Sequence, residues 1–119
     1  MVDDETTILF ALRDFFSARG YMVDAAGERE AAETLIAERP YALMIVDLRL
    51  SAGEAAEGLD LVAFARRRRP AMRIVVLTAY GSPEAEAEAL GLGADAMLGK
   101  PMPLPELAAL ADRLLSQAA

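Results

Sequence analysis

Tyr41-Ala42-Leu43-Met44-Ile45-Val46-Asp47 runs through six apolar residues without a break and ends in a carboxylate. A strand with one face in water would alternate polar and apolar side chains. An unbroken apolar run of this length reads instead as a central strand of a parallel sheet, covered by helices on both faces. A carboxylate directly after such a run is disfavoured unless a loop exposes it or a partner compensates it. Asp47, at the carboxyl end of that strand, is therefore the first candidate for chemistry.

Outward from this run, Arg73-Ile74-Val75-Val76-Leu77 repeats the pattern and ends in Thr78, and stretches of helical periodicity lie between the apolar runs. The order reads as strand then helix five times, which predicts an α/β fold with a parallel sheet and helices on both faces. The first strand is only Met1-Val2, the second is expected at Tyr21-Met22-Val23, and the fifth at about Ala96 to Gly99. The first helix puts Ile8, Leu12, Phe15 and Phe16 on one face and closes at Gly20. The second, about Glu28 to Glu38, turns Ala31, Leu35 and Ile36 inward and stops at Pro40. A loop from Ser51 to Gly58 leads into the third, around Leu61, Val62 and Ala65. The fourth, about Pro83 to Leu90, is mostly Glu and Ala and is expected to be the most loosely anchored. Leu104, Leu107, Leu110, Ala111 and Leu114 make the buried stripe of the last helix.

Composition narrows the chemistry. The 119 residues suit one domain. There is no Cys and no His, so disulfides, thiolate or imidazole metal sites and histidine-based catalysis are excluded. Carboxylates, hydroxyls and Lys remain. The net charge of -7 argues against direct nucleic-acid binding. The one basic run, Arg66 to Arg69 before Pro70, reads as a solvated helix end meeting the negative pole of its own dipole. No apolar stretch has membrane-spanning length, and the chain opens with Val2-Asp3-Asp4-Glu5, so a cytoplasmic, membrane-free protein is expected.

Asp3-Asp4, Asp47, Thr78 and Lys100 all fall at carboxyl ends of predicted strands. In an open parallel sheet ligands bind outside those ends, so the four features converge on one crevice. Taken singly, Asp3 and Asp4 also fit surface charge or helix caps, Thr78 a turn residue, Lys100 a solvated lysine and Pro101 a turn former. Three carboxylates together repel one another unless a cation sits between them. Oxygen-only donors favour Mg²⁺, with Mn²⁺ as a substitute. A carboxylate at such an ion can attack a phosphoryl group, with Lys100 adding positive charge and the Thr78 hydroxyl a hydrogen bond.

Along nearly its whole length the sequence resembles the receiver domains of two-component response regulators. The matching motifs are Val2-Asp3-Asp4-Glu5, Leu43-Met44-Ile45-Val46-Asp47-Leu48, Ile74-Val75-Val76-Leu77-Thr78-Ala79, Gly93-Ala94-Asp95 and Lys100-Pro101. The resemblance implies a flavodoxin-like (βα)5 three-layer sandwich with sheet order 2-1-3-4-5. It implies that Asp47 takes a phosphoryl group from the phosphohistidine of a histidine kinase or phosphotransfer protein. Asp3, Asp4, Asp47 and the main-chain carbonyl of Arg49 would hold Mg²⁺. Thr78 and Lys100 would contact the phosphoryl group, and the peptide before Pro101 would be cis. The signal would leave through the fourth helix, fifth strand and fifth helix. Such a domain catalyses its own phosphorylation and dephosphorylation and is a signalling element, not an enzyme in the turnover sense.

Three departures from the family pattern stand out. The first strand offers only Met1 and Val2 before the acidic pair. Between Asp47 and Gly58, the glycine matching the one that opens the next helix, about three residues are extra, and Ser51 stands where Pro is common. Met97 stands where an aromatic residue usually moves in concert with the residue matching Thr78. Arg49 and Tyr80 are expected to crowd the phosphoryl site and slow water attack.

Residues 1–119 are read as one receiver domain without an output domain, working alone or as a piece of a larger regulator. The output partner is undetermined, and a monomer and a homodimer are both open. Two rival readings are an unphosphorylated docking adaptor and an aspartyl-phosphate hydrolase. The hydrolase is disfavoured because such enzymes commonly carry a second Asp two residues after the nucleophile, where this chain has Arg49.

Overall fold

The two apolar runs lie side by side. Leu43–Asp47 forms strand β1 and Arg73–Thr78 forms β2, paired in parallel with Leu43 opposite Arg73 and Asp47 opposite Leu77. Ala96–Gly99 forms β3, parallel to β2 on its other side, so the sheet order is β1-β2-β3. The computed structural model describes residues 1–3, 5–47, 55–79, 82–100 and 102–117. Helices α1 (Thr6–Ala18), α2 (Arg29–Glu38), α3 (Ala55–Arg68), α4 (Pro83–Leu92) and α5 (Leu104–Ser116) alternate with the strands.

Successive side chains of a strand point to opposite faces, and residues 43–46 and 74–77 are apolar at every position, so both faces need cover. Met44, Val46, Ile74 and Val76 pack with Ala32 and Ile36 of α2, with Leu61, Val62 and Ala65 of α3, and with Ala89 of α4. Ile45, Val75 and Leu77 pack with Leu12 and Phe16 of α1 and with Leu107, Ala108 and Ala111 of α5. The result is the three-layer α/β architecture expected. Each fully buried Val, Ile or Leu contributes about 1.5–3 kcal/mol. Ala89 is the one fully buried residue of α4 among those described, consistent with the weak anchoring expected for this helix. Its ends are nonetheless well defined. The Ser82 side chain accepts from the Ala85 N–H, and Gly93, at φ 118°, closes the helix in the left-handed region.

The structure bears out the short first strand and departs from the sequence expectations in two places. The first strand is a single parallel bridge point: Val2 pairs with Val46 on one side and with Ala26 on the other. Its N–H donates to the Ile45 carbonyl at 2.8 Å, and its carbonyl accepts from the Asp47 N–H at 2.8 Å. The second strand is not at Tyr21-Met22-Val23, which has no strand pairing; its partner contact falls at Ala26, and Met22 is 99 % exposed. An apolar triplet resembles a strand, but among the described residues the backbone of Met1 and Val2 meets this segment at Asp24 and Ala26 and not within the triplet. Helix α3 begins at Ala55, so Gly58 lies inside the helix instead of ending a loop. Ala55, Ala56 and Glu57 are strong helix formers and extend the helix backward. The rest of that loop, 48–54, lies outside the described residues.

Candidate functional site

At the carboxyl end of the sheet two buried carboxylates face one ammonium. Asp47 ends β1 at 7 % exposure, and Asp3, beside it on the Val2 segment, is 2 % exposed. The Lys100 Nζ lies 3.2 Å from Asp3 Oδ2 and 3.3 Å from Asp47 Oδ2. Each side chain is fixed by its backbone. Asp3 follows the Val2 bridge, donates its N–H to the Ala26 carbonyl at 3.1 Å, and accepts from the Glu5 N–H at 3.0 Å through Oδ1. Lys100 follows β3, and its N–H donates to the Thr78 carbonyl at 2.7 Å. Thr78, 1 % exposed, ends β2 opposite Gly99.

Burial alone would lower the pKa of Lys100, but the carboxylates of Asp3 and Asp47 outweigh it and raise the value above that of an ordinary lysine. The ammonium therefore stays charged and acts as a counter-ion. Two carboxylates against one ammonium leave the buried cluster one negative charge in excess. Such an oxygen-only, net-negative site suits a hard divalent cation. Among the described residues no three acidic side chains converge on a metal-sized space. Asp4, the third expected acidic ligand, and the Arg49 carbonyl lie outside those residues, as do Tyr80 and Pro101.

Asp3, Asp47, Thr78 and Lys100 are thus brought to one corner, as their spacing suggested. Met97 sits further along β3, opposite Val76, half-buried against the cluster that holds α3 and α4. A shallow depression lined by Thr78, Ser82, Pro83, Glu86 and Met97 connects the end of β2 to the first turn of α4. The sequence reading did not foresee that Lys100 would clamp the two carboxylates directly. Nor did it foresee the work of the arginine run. Arg66 binds the carbonyls of Gly93, Pro70 and Met72 and the Asp95 carboxylate. Arg69 donates to the Ile36 and Ala37 carbonyls, and Arg68 to that of Ala37, at the end of α2. The run ends α3 as expected, with Arg67 and Arg68 exposed, but Arg66 and Arg69 also act as structural clamps; Arg67 alone of the four has no such contact among the described residues.

Residues 1–112 match the family model of the response regulator receiver domain. The chain belongs to that family. Among curated proteins it is 39 % identical over 101 residues to the photosynthetic apparatus regulatory protein RegA of Cereibacter sphaeroides, covering 85 % of this chain and 53 % of RegA. It is 38 % identical over 114 residues to the acid tolerance regulatory protein ActR of Rhizobium meliloti, covering 95 % of this chain and 57 % of ActR. The receiver therefore spans about half the length of these relatives. Its fold matches a CheY-like receiver domain protein from Methanospirillum hungatei with a TM-score of 0.92 and 29 % identity, over 98 % of this chain and 91 % of that one. It also matches a response regulator from Burkholderia pseudomallei whose structure carries a phosphorylated aspartic acid, a calcium ion and citrate. There the TM-score is 0.85 and the identity 30 %, over 99 % of this chain and 70 % of that one. Among the described residues of this receiver, no helix is long and apolar enough to cross a membrane.

Proposed function

We propose that this receiver accepts a phosphoryl group on Asp47 from a phosphohistidine and passes the event to the surface around α4, β3 and α5. The observation that carries the reading is the Lys100 ammonium 3.2 and 3.3 Å from the carboxylates of Asp3 and Asp47, all three at the carboxyl end of a parallel sheet. The chain has no His, so the donor imidazole belongs to another molecule, a histidine kinase or phosphotransfer protein. In the transfer the donor P–N bond breaks as an Asp47 Oδ–P bond forms. The imidazole, protonated on its other nitrogen, leaves as a neutral ring with the electron pair of the broken bond, and the attacking atom is a carboxylate oxygen of Asp47.

Lys100 orients the Asp47 carboxylate before transfer and pairs with phosphoryl oxygens after it, because its ammonium has three donors. The Thr78 hydroxyl, on the adjoining strand end, donates to a phosphoryl oxygen. Asp3, with Asp4, Asp47 and the Arg49 carbonyl, would hold Mg²⁺, with Mn²⁺ as a substitute. That ion supplies charge neutralisation for the transferring oxygens. Movement of Thr78 toward the new group draws on the depression it shares with Met97 and α4. The sparse burial of α4 makes it the element that shifts most easily. Residues 1–119 act on this reading as one receiver unit, alone or within a longer regulator, whose output partner binds the shifted face.

The test is incubation with Mg²⁺ and a small acyl-phosphate donor, followed by intact-mass measurement. A gain of one phosphoryl group is expected, lost in Asp47→Asn and in excess chelator. No gain under any condition would leave the docking-adaptor reading in its place.

A further inference from the structure

One guanidinium fastens the carboxyl end of α4. Arg66, in the last turns of α3, donates to the Gly93 carbonyl through Nε at 3.0 Å and through Nη2 at 2.7 Å. Its Nη2 also meets the Asp95 carboxylate at 3.0 Å, and its Nη1 donates to the carbonyls of Pro70 at 2.7 Å and Met72 at 2.8 Å. Every nitrogen of the planar fork is engaged, so the side chain holds one orientation. It lies directly against the backbone that closes the helix: a Cβ on Gly93 would fall 2.7 Å from Arg66 Cγ. Asp95 is held in turn by Arg73 and the Ile74 N–H, which ties the same point to the amino end of β2. Nearby, Ala89 is fully buried and Leu92 packs on the same core. The amino end of α4 has no such fastening. Ser82, Pro83, Glu84, Glu86, Ala87 and Glu88 are exposed, and Ala85 adds only a methyl group to the core. Among the described residues the bonds at this end, from the Ala85 N–H to Ser82 Oγ and from the Glu86 N–H to the Ser82 carbonyl, stay inside the helix and its cap. This loosely held end borders the depression it shares with Thr78, at the carboxyl end of β2.

We propose that α4 is a lever hinged at Gly93, with Arg66 as its pin and Ser82 to Glu86 as its moving tip. The pin sits at one end of β2 and the tip at the other, so the helix spans the sheet from a fixed pole to the corner that holds Asp47. Its 10 residues make an arm of about 15 Å. A turn of about 10° about Gly93 moves position 84 by about 2–3 Å and position 90 by less than about 1 Å. The surface that changes is therefore Ser82 to Glu88, while Leu90 to Gly93 stays in place. What drives the tip rests on the reading of Asp47 as phosphoryl acceptor; the hinge itself belongs to the unphosphorylated fold.

The chain has no Cys, so paired nitroxide labels go only where cysteines are introduced. One label is placed at Thr34→Cys, exposed on α2, and the other at Glu84→Cys or Leu90→Cys, and the distances are read by pulsed dipolar spectroscopy. Without phosphorylation, the distribution to position 84 is expected to be broader than that to position 90. With Mg²⁺ and a small acyl-phosphate donor, the displacement at 84 is expected to be about three times that at 90, in proportion to their distances from Gly93. Arg66→Lys keeps the charge but not the fork, and is expected to broaden the distribution to 90 until it matches that to 84. Val62→Ala, fully buried in α3 and away from the pin, lowers stability and is expected to leave the distribution to 90 narrow. Equal widths at 84 and 90 in the parent chain would overturn the lever, as would equal broadening at 90 by Val62→Ala and Arg66→Lys. A phosphoryl mass gain with equal displacement at the two positions would overturn it too. Absence of the mass gain would sink the phosphoryl-acceptor reading instead, and the hinge would stand or fall on the widths.

Discussion

Replacing Lys100 with Met isolates the role of the clamp. The substitution keeps a long side chain of similar reach but leaves Asp3 and Asp47, at 2 % and 7 % exposure, facing one another without their shared cation. At an effective dielectric of about 20, each contact near 3.2 Å is worth about 5 kcal/mol before desolvation. Removing one partner of a buried ion pair typically costs about 3–5 kcal/mol. Here the Lys100 side chain keeps 17 % of its surface and Asp3 retains the Glu5 N–H, so the expected loss is about 2–4 kcal/mol. In a urea titration with an m-value of about 1.5 kcal/mol/M the midpoint falls by about 1–3 M. Because the fold raises the pKa of Lys100, its contribution is fully present below the ordinary value of 10.5 and is lost only as pH climbs through the raised value. The deficit attributable to Lys100 is therefore constant across neutral pH. Repeating the titration in Mg²⁺ supplies the internal control: a cation that takes over the charge of the ammonium shrinks the deficit by at least about half. A loss below about 0.5 kcal/mol, or a deficit that Mg²⁺ leaves unchanged, would refute the account of this corner as a cation-seeking cluster.

Gly93→Ala places a Cβ at φ 118° and within 2.7 Å of Arg66 Cγ; a loss of about 2–4 kcal/mol in thermal unfolding is expected, combining the left-handed backbone penalty with displaced Arg66 contacts. Arg66→Lys keeps the charge but cannot reach Gly93, Pro70, Met72 and Asp95 together; a loss of about 2–3 kcal/mol in urea unfolding, with phosphorylation of Asp47 retained, is expected. Tyr21 and Tyr41 are each pushed up to about 12, by burial first and then by hydrogen bonds to Asp112 and Asp24. Folding therefore gains from their protonated forms below about 10 and loses that gain between 10 and 12, so stability should fall across that window, and phenolate absorbance should show both titrating late.

The layers were legible because residues 43–46 and 74–77 are apolar at every position, a pattern that only two-sided cover explains. The corner holding Asp3, Asp47, Thr78 and Lys100 was legible for a related reason: strand ends of a parallel sheet converge whatever the loops do. The second strand was misplaced because apolar content says nothing about whether a partner backbone is present, and Val2 reaches only Ala26. The arginine run was placed correctly at a helix end, but its clamps were missed because their partners are carbonyls at Ile36, Ala37 and Gly93, up to 33 residues away, and main-chain acceptors leave no mark in a sequence.

Charge at the two ends of β2 separates structure from chemistry. At its amino end Asp95 accepts from Arg66, Arg73 and the Ile74 N–H, so one carboxylate meets two guanidinium groups and the cluster carries an excess positive charge with no call for a cation. At the carboxyl end two carboxylates meet one ammonium, and the excess is negative and buried. Converting Asp47 to an aspartyl phosphate adds further negative charge at that same point, so the phosphorylated corner depends still more on a cation and on Lys100. On the proposed reading Lys100 is constrained in both states by the same two positions, and the rearrangement that follows phosphorylation falls on the elements around it. On that reading Thr78, Met97 and the lightly buried α4, which border one depression, would carry the charge change at Asp47 to the surface even with a thioether at position 97.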